Sequence, residues 1–517
     1  MTYTKKTPWT LIIGIILAAY AWLIHQGHLN VMMEALKTTK LAGEMYTLGY
    51  IFGAIGIVVG LWQLFYKHKS GHADYFLSTV GGALLIILCV FVVKFGAEPL
   101  FKMWGAMSYK AIGWDFAKTL GFNYILLGII TGMVVVNVFK VPDWAENGVR
   151  LSRLGLKTGV ILLGALYSAA ELAEYSKWSV GLIFVFVLGS VGLTLWLGRL
   201  RKISNSMGGV LSAGLGVCGV SAAVASAPVV NAKSSEIAYT IGTILLWGVL
   251  MMFIFPPVGR ALGLTYEQFG AWAGTGILNS AQVAAAALIY QPHGIETLKV
   301  AEIFNITRIL ALPIIVLWLA VWYVEREQHA VKVNLLQVIV GKFPLFVLGF
   351  IVLFLLSTTG MFMPERNDGK GKYMDPVKAK ALKDEQIVAL QEELPRVAKP
   401  EEQAALQRLI ETKTVQSRAD DVLLRDLASL ETTSKPAVAA LKDAHKNAWM
   451  TAPRVAWFRD VIVWFFAFGL TGLGMQITFK SIAQAGGQPL FIGTVVGSVK
   501  AVGALIAILL LKDLINP

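Results

Sequence analysis

Apolar residues in this chain come in blocks, and each block is about as long as a bilayer is thick. A membrane-spanning helix needs roughly 20 consecutive apolar residues. Thirteen stretches approach or meet that length: 9–26, 48–66, 77–95, 121–140, 156–174, 180–198, 206–230, 238–257, 271–290, 306–323, 343–360, 456–475 and 489–511. In hydrocarbon, backbone polar groups must find partners inside the structure, which leaves helices as the natural answer to such blocks. The expected fold is therefore all-α and polytopic, with about thirteen transmembrane segments. Composition agrees. Of 517 residues only 15% are charged and 56% are hydrophobic, against about 25% charged in soluble domains.

The formal charge of +13 sits in short clusters between the blocks, such as Lys67-His68-Lys69 and Arg199-Leu200-Arg201-Lys202. With the N-terminus in the cytoplasm, the clusters at 67–69, 140–153, 199–202, Arg260 and 326–332 all fall on one side, as the positive-inside pattern requires. The same arithmetic puts 361–455 on the other side. Trp9, Tyr66, Trp114, Trp144, Tyr175, Trp178, Trp322 and Tyr323 mark block ends, as interfacial aromatics do. Lys5-Lys6 and the following apolar run lack a small-residue cleavage site, so 9–26 reads as a retained first helix. The basic clusters carry no aromatic interleaving, which argues against a nucleic-acid partner. Cys89 and Cys218 lie inside apolar runs and offer no disulfide framework. The seven histidines are scattered, and no P-loop, GxSxG or HExxH string occurs, so neither a cofactor nor an enzymatic activity is expected.

Four regions follow: an N-terminal two-helix membrane extension (1–70), the first part of a core (77–360), a charged insertion (361–455) and two closing helices (456–512). Between Glu365 and Arg454 the insertion holds 16 Lys/Arg and 15 Asp/Glu. Apolar residues recur there at helical spacing, and Pro395, Pro400 and Pro436 punctuate them. Two or three amphipathic extramembrane helices are expected. They are either a solvated insertion or a module for oligomerisation or partner binding.

Two blocks are unlike ordinary spans. Residues 212–228 contain Gly214, Gly216, Cys218, Gly219 and Ser221 before Pro228, and residues 270–290 contain Gly274, Thr275, Gly276, Asn279, Ser280 and Gln282. Each glycine costs a helix about 1 kcal/mol relative to alanine. Small residues also allow close helix packing, but two such blocks with mid-span hydroxyls and amides point to discontinuous helices. Unwound backbone at membrane depth is tolerated where it lines a cavity, and half-helix N-termini there attract anions. Asn279 and Gln282, three apart, share a helix face. Cys218 and Ser221 would add backbone amides and a hydroxyl.

Three charges stand out. Arg308 lies near the start of the 306–323 block, where it either snorkels to the interface or offers an oxyanion its planar fork. Lys500 sits mid-block, too deep to snorkel, and needs a cavity or a partner, with Glu171 and Glu174 the candidates. Lys94 is closer to a block end and reads as interfacial. An internal echo links Leu163-Gly164-Ala165-Leu166 with Leu473-Gly474-Met475-Gln476, each preceding an apolar helix, as repeated transporter units do.

Several strings resemble the sulfate-exporter family of YeiH-like bacterial membrane proteins. They are Arg153-Leu154-Gly155, Gly214-Leu215-Gly216-Val217-Cys218-Gly219-Val220-Ser221-Ala222, Gly274-Thr275-Gly276, Ala281-Gln282-Val283-Ala284-Ala285, Thr307-Arg308-Ile309-Leu310 and Ala485-Gly486-Gly487-Gln488-Pro489-Leu490. The likeness covers about 121–357 and 456–511. It implies an inverted-repeat transporter core, a bacterial inner-membrane location and alternating access. The N-terminal helices and the insertion have no counterpart in that pattern. Where the family places His and an acid before Ala-Gln-Val, this chain has Leu278 and Asn279, and where it places Lys before the arginine, this chain has Asn305. The resemblance thus implies that a carboxylate and an ammonium are both replaced by asparagine, a lost charged pair if the two groups meet in relatives.

The expected function is secondary transport of a small anion, of the sulfate, sulfite or sulfonate type. The anion would bind at Gly216, Cys218, Gly219, Ser221, Thr275, Asn279, Ser280, Gln282 and Arg308, with Lys500, Glu171 and Asn305 in coupling or charge pairing. Alternatives are a sodium- or proton-coupled symporter of an organic anion, a channel, and a non-transporting scaffold or sensor acting through the insertion. Partners would be the anion, Na+ or H+, the lipid bilayer and a second copy of the chain, through the scaffold helices or the insertion.

Overall fold

The structure, a computed structural model, describes residues 7–65, 71–117, 122–167, 169–292, 294–326, 345–362, 372–397, 399–429, 433–483 and 486–511. The chain is all-α and polytopic. Among the described residues, seven helical runs are long and apolar enough to cross a bilayer, and shorter apolar helices accompany them. The chain divides into two compact units: Met1–Ile161 with Ala173–Leu348 and Val461–Pro517, and Leu162–Leu172 with Gly349–Asp460.

In the first unit, α1 (Trp9–His25), the short α2 (Asn30–Ala35) and α3 (Ala42–Phe65) form a hairpin. Glycine makes it close. A Cβ at Gly53 would lie 2.8 Å from the Ala18 nitrogen, and one at Gly60 would lie 2.5 Å from the Leu11 Cα. Then α4 (Gly71–Val92) runs through a π-turn at Val93–Ala97 into α5 (Glu98–Ile112). Inside that turn Lys94 donates to the Glu44 carboxylate at 2.5 Å and lies 4.4 Å from the Trp464 ring, so it is tied into the first unit's interior. Next come α6 (Tyr124–Val134) and α7 (Glu146–Leu163).

The expected 156–174 helix is two elements. Helix α7 ends at Leu163, a 3-10 turn covers Gly164–Leu166, and α8 (Ala169–Leu200) begins after an extended Tyr167. Gly164 explains the break in packing terms, since a Cβ there would sit 2.3 Å from the Phe350 carbonyl oxygen.

Beyond α8 follow α9 (Asn205–Gly216), α10 (Val220–Ser226), α11 (Ser234–Ala261), α12 (Tyr266–Gly276), α13 (Ser280–Tyr290), α14 (Glu296–Leu310) and α15 (Leu312–Val324). Here the 306–323 block is also two helices. Pro313 has no N–H to continue the ladder, so α14 ends at Leu310 and α15 starts anew. Serine 204 caps α9 and Thr265 caps α12, each accepting a backbone N–H at 3.2 Å.

After α16 (Leu345–Thr358), β1 (Lys372–Met374) opens the insertion, and α17 (Asp384–Glu393), α18 (Pro400–Thr412), α19 (Arg418–Ser429) and α20 (Lys435–Ala448) fill it. β2 (Trp449–Thr451) closes it by pairing antiparallel with β1, Lys372 opposite Thr451. Four helices and a small sheet replace the two or three helices expected, because each proline starts or ends an element. Pro400 and Pro436 occupy first-turn positions, where no N–H is needed, and Pro395 lies in the turn after α17. Leu390, Leu406, Leu409, Leu427 and Leu441 form a buried apolar centre, so the insertion is a folded body.

The chain ends with α21 (Pro453–Gly474), α22 (Phe479–Ala483) and α23 (Gly487–Leu510). Within the first unit α21 lies along α7. Gly155 meets Phe468, Gly469 meets Leu156, and the Arg153 Nε donates to the Gln476 Oε1 at 2.7 Å.

Candidate functional site

Both glycine-laced blocks are broken helices. Helix α9 stops at Gly216 and α10 begins at Val220, with Val217, Cys218 and Gly219 between them. The reversal turns on Gly219, whose φ is +81°, a region that side-chain-bearing residues rarely enter. Helix α12 stops at Gly276, Ile277 is extended, and Asn279 caps α13 by accepting the Ala281 N–H at 3.1 Å. The two breaks touch. A Cβ on Gly219 would lie 3.1 Å from the Cα and Cβ of Asn279. Ile244 of α11 packs beneath, against Gly214 and Gly219.

A helix end carries about half a charge, positive at its N-terminus and negative at its C-terminus. Two buried cations attend the negative ends. The Lys500 Nζ donates to the carbonyls of Leu215 and Gly216, at 3.1 and 2.9 Å, which close α9. The Arg308 Nη1 donates to the Ile277 carbonyl just past α12, at 2.5 Å, and its Nη2 donates to the Asn305 Oδ1 at 3.0 Å. Lys500 is 1% exposed and Arg308 0%, so neither reaches an aqueous interface. Arg308 therefore lies in the last turn of α14, fully enclosed, and not near the start of a helix from which it snorkels. Lys500 bonds main-chain carbonyls, and the side chain of Glu171 lies outside the described residues.

At the positive ends, neither α10 nor α13 has an acidic residue in its first turn. Cys218 is buried in the first break and Ser221 is exposed in the first turn of α10. Around the second break, the hydroxyls of Thr275 and Ser280 are buried with no hydrogen-bond partner among the described residues. Gln282 is wholly buried, and both polar atoms of its amide lack a partner there too. Its tip lies on Gly248 of α11, where a Cβ would come within 1.7 Å of the amide oxygen. Such enclosed, unsatisfied groups carry a desolvation penalty of about 1–3 kcal/mol each, which a polar ligand relieves.

Sequence reasoning missed Glu302 and Lys299, both buried on α14. The Glu302 Oε2 accepts from the Asn305 Nδ2 at 2.9 Å, so a carboxylate, a carboxamide and a guanidinium form one line ending at the second break. The signal was present as a polar residue at every third position, Lys299, Glu302, Asn305 and Arg308.

Residues 83–369 match the family model described as conserved hypothetical protein 698. A UPF0324 membrane protein of Nitratidesulfovibrio vulgaris is 33% identical over 446 residues, covering 85% of this chain and 97% of the relative. A second from the same organism is 39% identical over 294 residues, 55% of this chain and 76% of the relative. A third, from Streptococcus agalactiae, is 30% identical over 246 residues, 46% and 72%. No solved structure matches the chain. With its many apolar helices and these relatives, the chain belongs to the conserved hypothetical protein 698 family of multi-pass UPF0324 membrane proteins.

Proposed function

We propose that the protein is a secondary transporter of a small, sulfate-like anion in the bacterial inner membrane, working by alternating access. One observation carries the reading: two broken helices meet at Gly219 and Asn279, and their negative ends alone are matched by buried cations. Neither positive end carries an acidic residue in its own first turn, so the helix ends themselves favour a negative solute at the meeting point. The guanidinium of Arg308 has a planar fork suited to an oxyanion, and its Nε has no partner among the described residues. Hydroxyls of Thr275 and Ser280 and the amide of Gln282 would supply neutral contacts. Discontinuous helices at the centre of a bundle are a recurring arrangement for carrying solutes past a midplane site.

The test is counterflow. Proteoliposomes loaded with unlabelled sulfate or sulfite, with and without sodium, are expected to take up the labelled anion saturably. A non-saturating conductance would mean a channel, and no flux of either anion would leave a membrane scaffold acting through the folded insertion.

A further inference from the structure

Glu302 reaches Arg308 through the Asn305 amide, and a carboxylate 1% exposed in the middle of α14 demands a reason. We infer that Glu302 is the proton carrier of this transporter, and that one proton and the anion travel together. The inference rests on the transport reading above.

The carboxylate accepts the Asn305 amide at 2.9 Å, and the same amide accepts Arg308 through its oxygen at 3.0 Å. Asn305 is thus held at both ends and fixes the separation of the two charges. Glu302 is the acid set against Arg308. The elements packed on α14 bring few other ionisable groups. Helix α12 carries Tyr266 and Glu267 in its first turn, α13 ends on Tyr290, α15 carries Tyr323, and neither α13 nor α15 has a charged residue. On α14 itself stand Glu296 and Lys299, and Ser179 of α8 meets Thr307 at 3.3 Å. Beyond Arg308, Cys218 and Lys500 complete the surroundings.

The consequence is electrostatic. While Glu302 is ionised it offsets Arg308, and an arriving anion meets a neutralised pair. When a proton adds to the carboxylate oxygen, the guanidinium charge is left for the anion. The O–H bond forms as the anion binds and breaks to water as it leaves on the other side. A monovalent anion then crosses without net charge, and a divalent one carries a single negative charge.

The experiment uses the full chain in vesicles enclosing a pH-reporting dye, with labelled sulfate and methanesulfonate as probes, since both keep their charge through the neutral range. One proton is expected per anion of net uptake into vesicles that start with none. The concentration giving half-maximal exchange should rise about tenfold per pH unit once the carboxyl is ionised. In Glu302→Gln that pH dependence should be flat, and anion entry should carry no protons. Net anion uptake by the wild type without proton movement overturns the inference, as does one-to-one proton movement in Glu302→Gln. If that variant does not fold, a wild-type count of no protons per anion taken up still overturns the inference. Absence of wild-type exchange at any pH overturns the transport reading itself, and is distinguishable because exchange needs no pH gradient.

Discussion

Replacing Gly219 by alanine should damage the first break, and the size of the loss follows from its geometry. With φ at +81° and ψ at −129°, the residue lies where a Cβ is poorly tolerated. Holding a non-glycine residue in such a region costs about 1–3 kcal/mol. The added methyl also meets backbone and side-chain carbon of Asn279 at 3.1 Å, so the second break must shift by a few tenths of an ångström. Gly189, in the middle of α8, is the matched control. Nothing lies within 4 Å of a Cβ there, and alanine favours a helix interior by up to about 1 kcal/mol. The two substitutions therefore differ in sign, with a gap of about 1–4 kcal/mol. Equilibrium unfolding in mixed micelles of increasing denaturing-detergent content measures both. Equal stability of Gly219→Ala and Gly189→Ala would mean that the left-handed reversal does not exist in the folded protein.

Arg308→Lys keeps the charge but loses the fork that reaches both Ile277 and Asn305, so sulfate exchange should fall at least about tenfold while the protein remains folded. Leu406→Ala empties a wholly buried place in the insertion and should destabilise it by about 2–5 kcal/mol, seen as faster protease cleavage within 372–451. A hydrogen bond from Lys413 holds the exposed Asp384 carboxyl below its ordinary range. A depressed carboxyl stabilises above its unfolded value and stops doing so as pH falls through its folded one. Lys413→Met should therefore lower the unfolding temperature at neutral pH, and that difference should close in acid.

Most of the membrane helices were legible because hydropathy alone determines where a span can lie. Where a block failed, the cause was local. Helix α7 starts with Glu146, Arg150 and Arg153, so the apolar window slid toward α8 and bridged a real break. The same effect hid Glu302. The apolar block beginning at 306 discarded the polar half of α14, and with it the residue aligned on Asn305 and Arg308. The broken helices were legible because glycine, hydroxyl and amide residues gather where helical hydrogen bonds lapse. The depth of Lys500 was readable too, but not its partners. They are carbonyls 284 and 285 residues away, and a main-chain oxygen leaves no mark in the sequence.

The short strands that pair Lys372 with Thr451 make the departure and return points of a long excursion coincide. A body whose two ends meet can be acquired, lost or exchanged in one genetic event, with only a tight turn left behind. The family match stops at residue 369, three positions before that junction. The seam is therefore a natural place to cut the gene and to graft a reporter of the engineer's choosing.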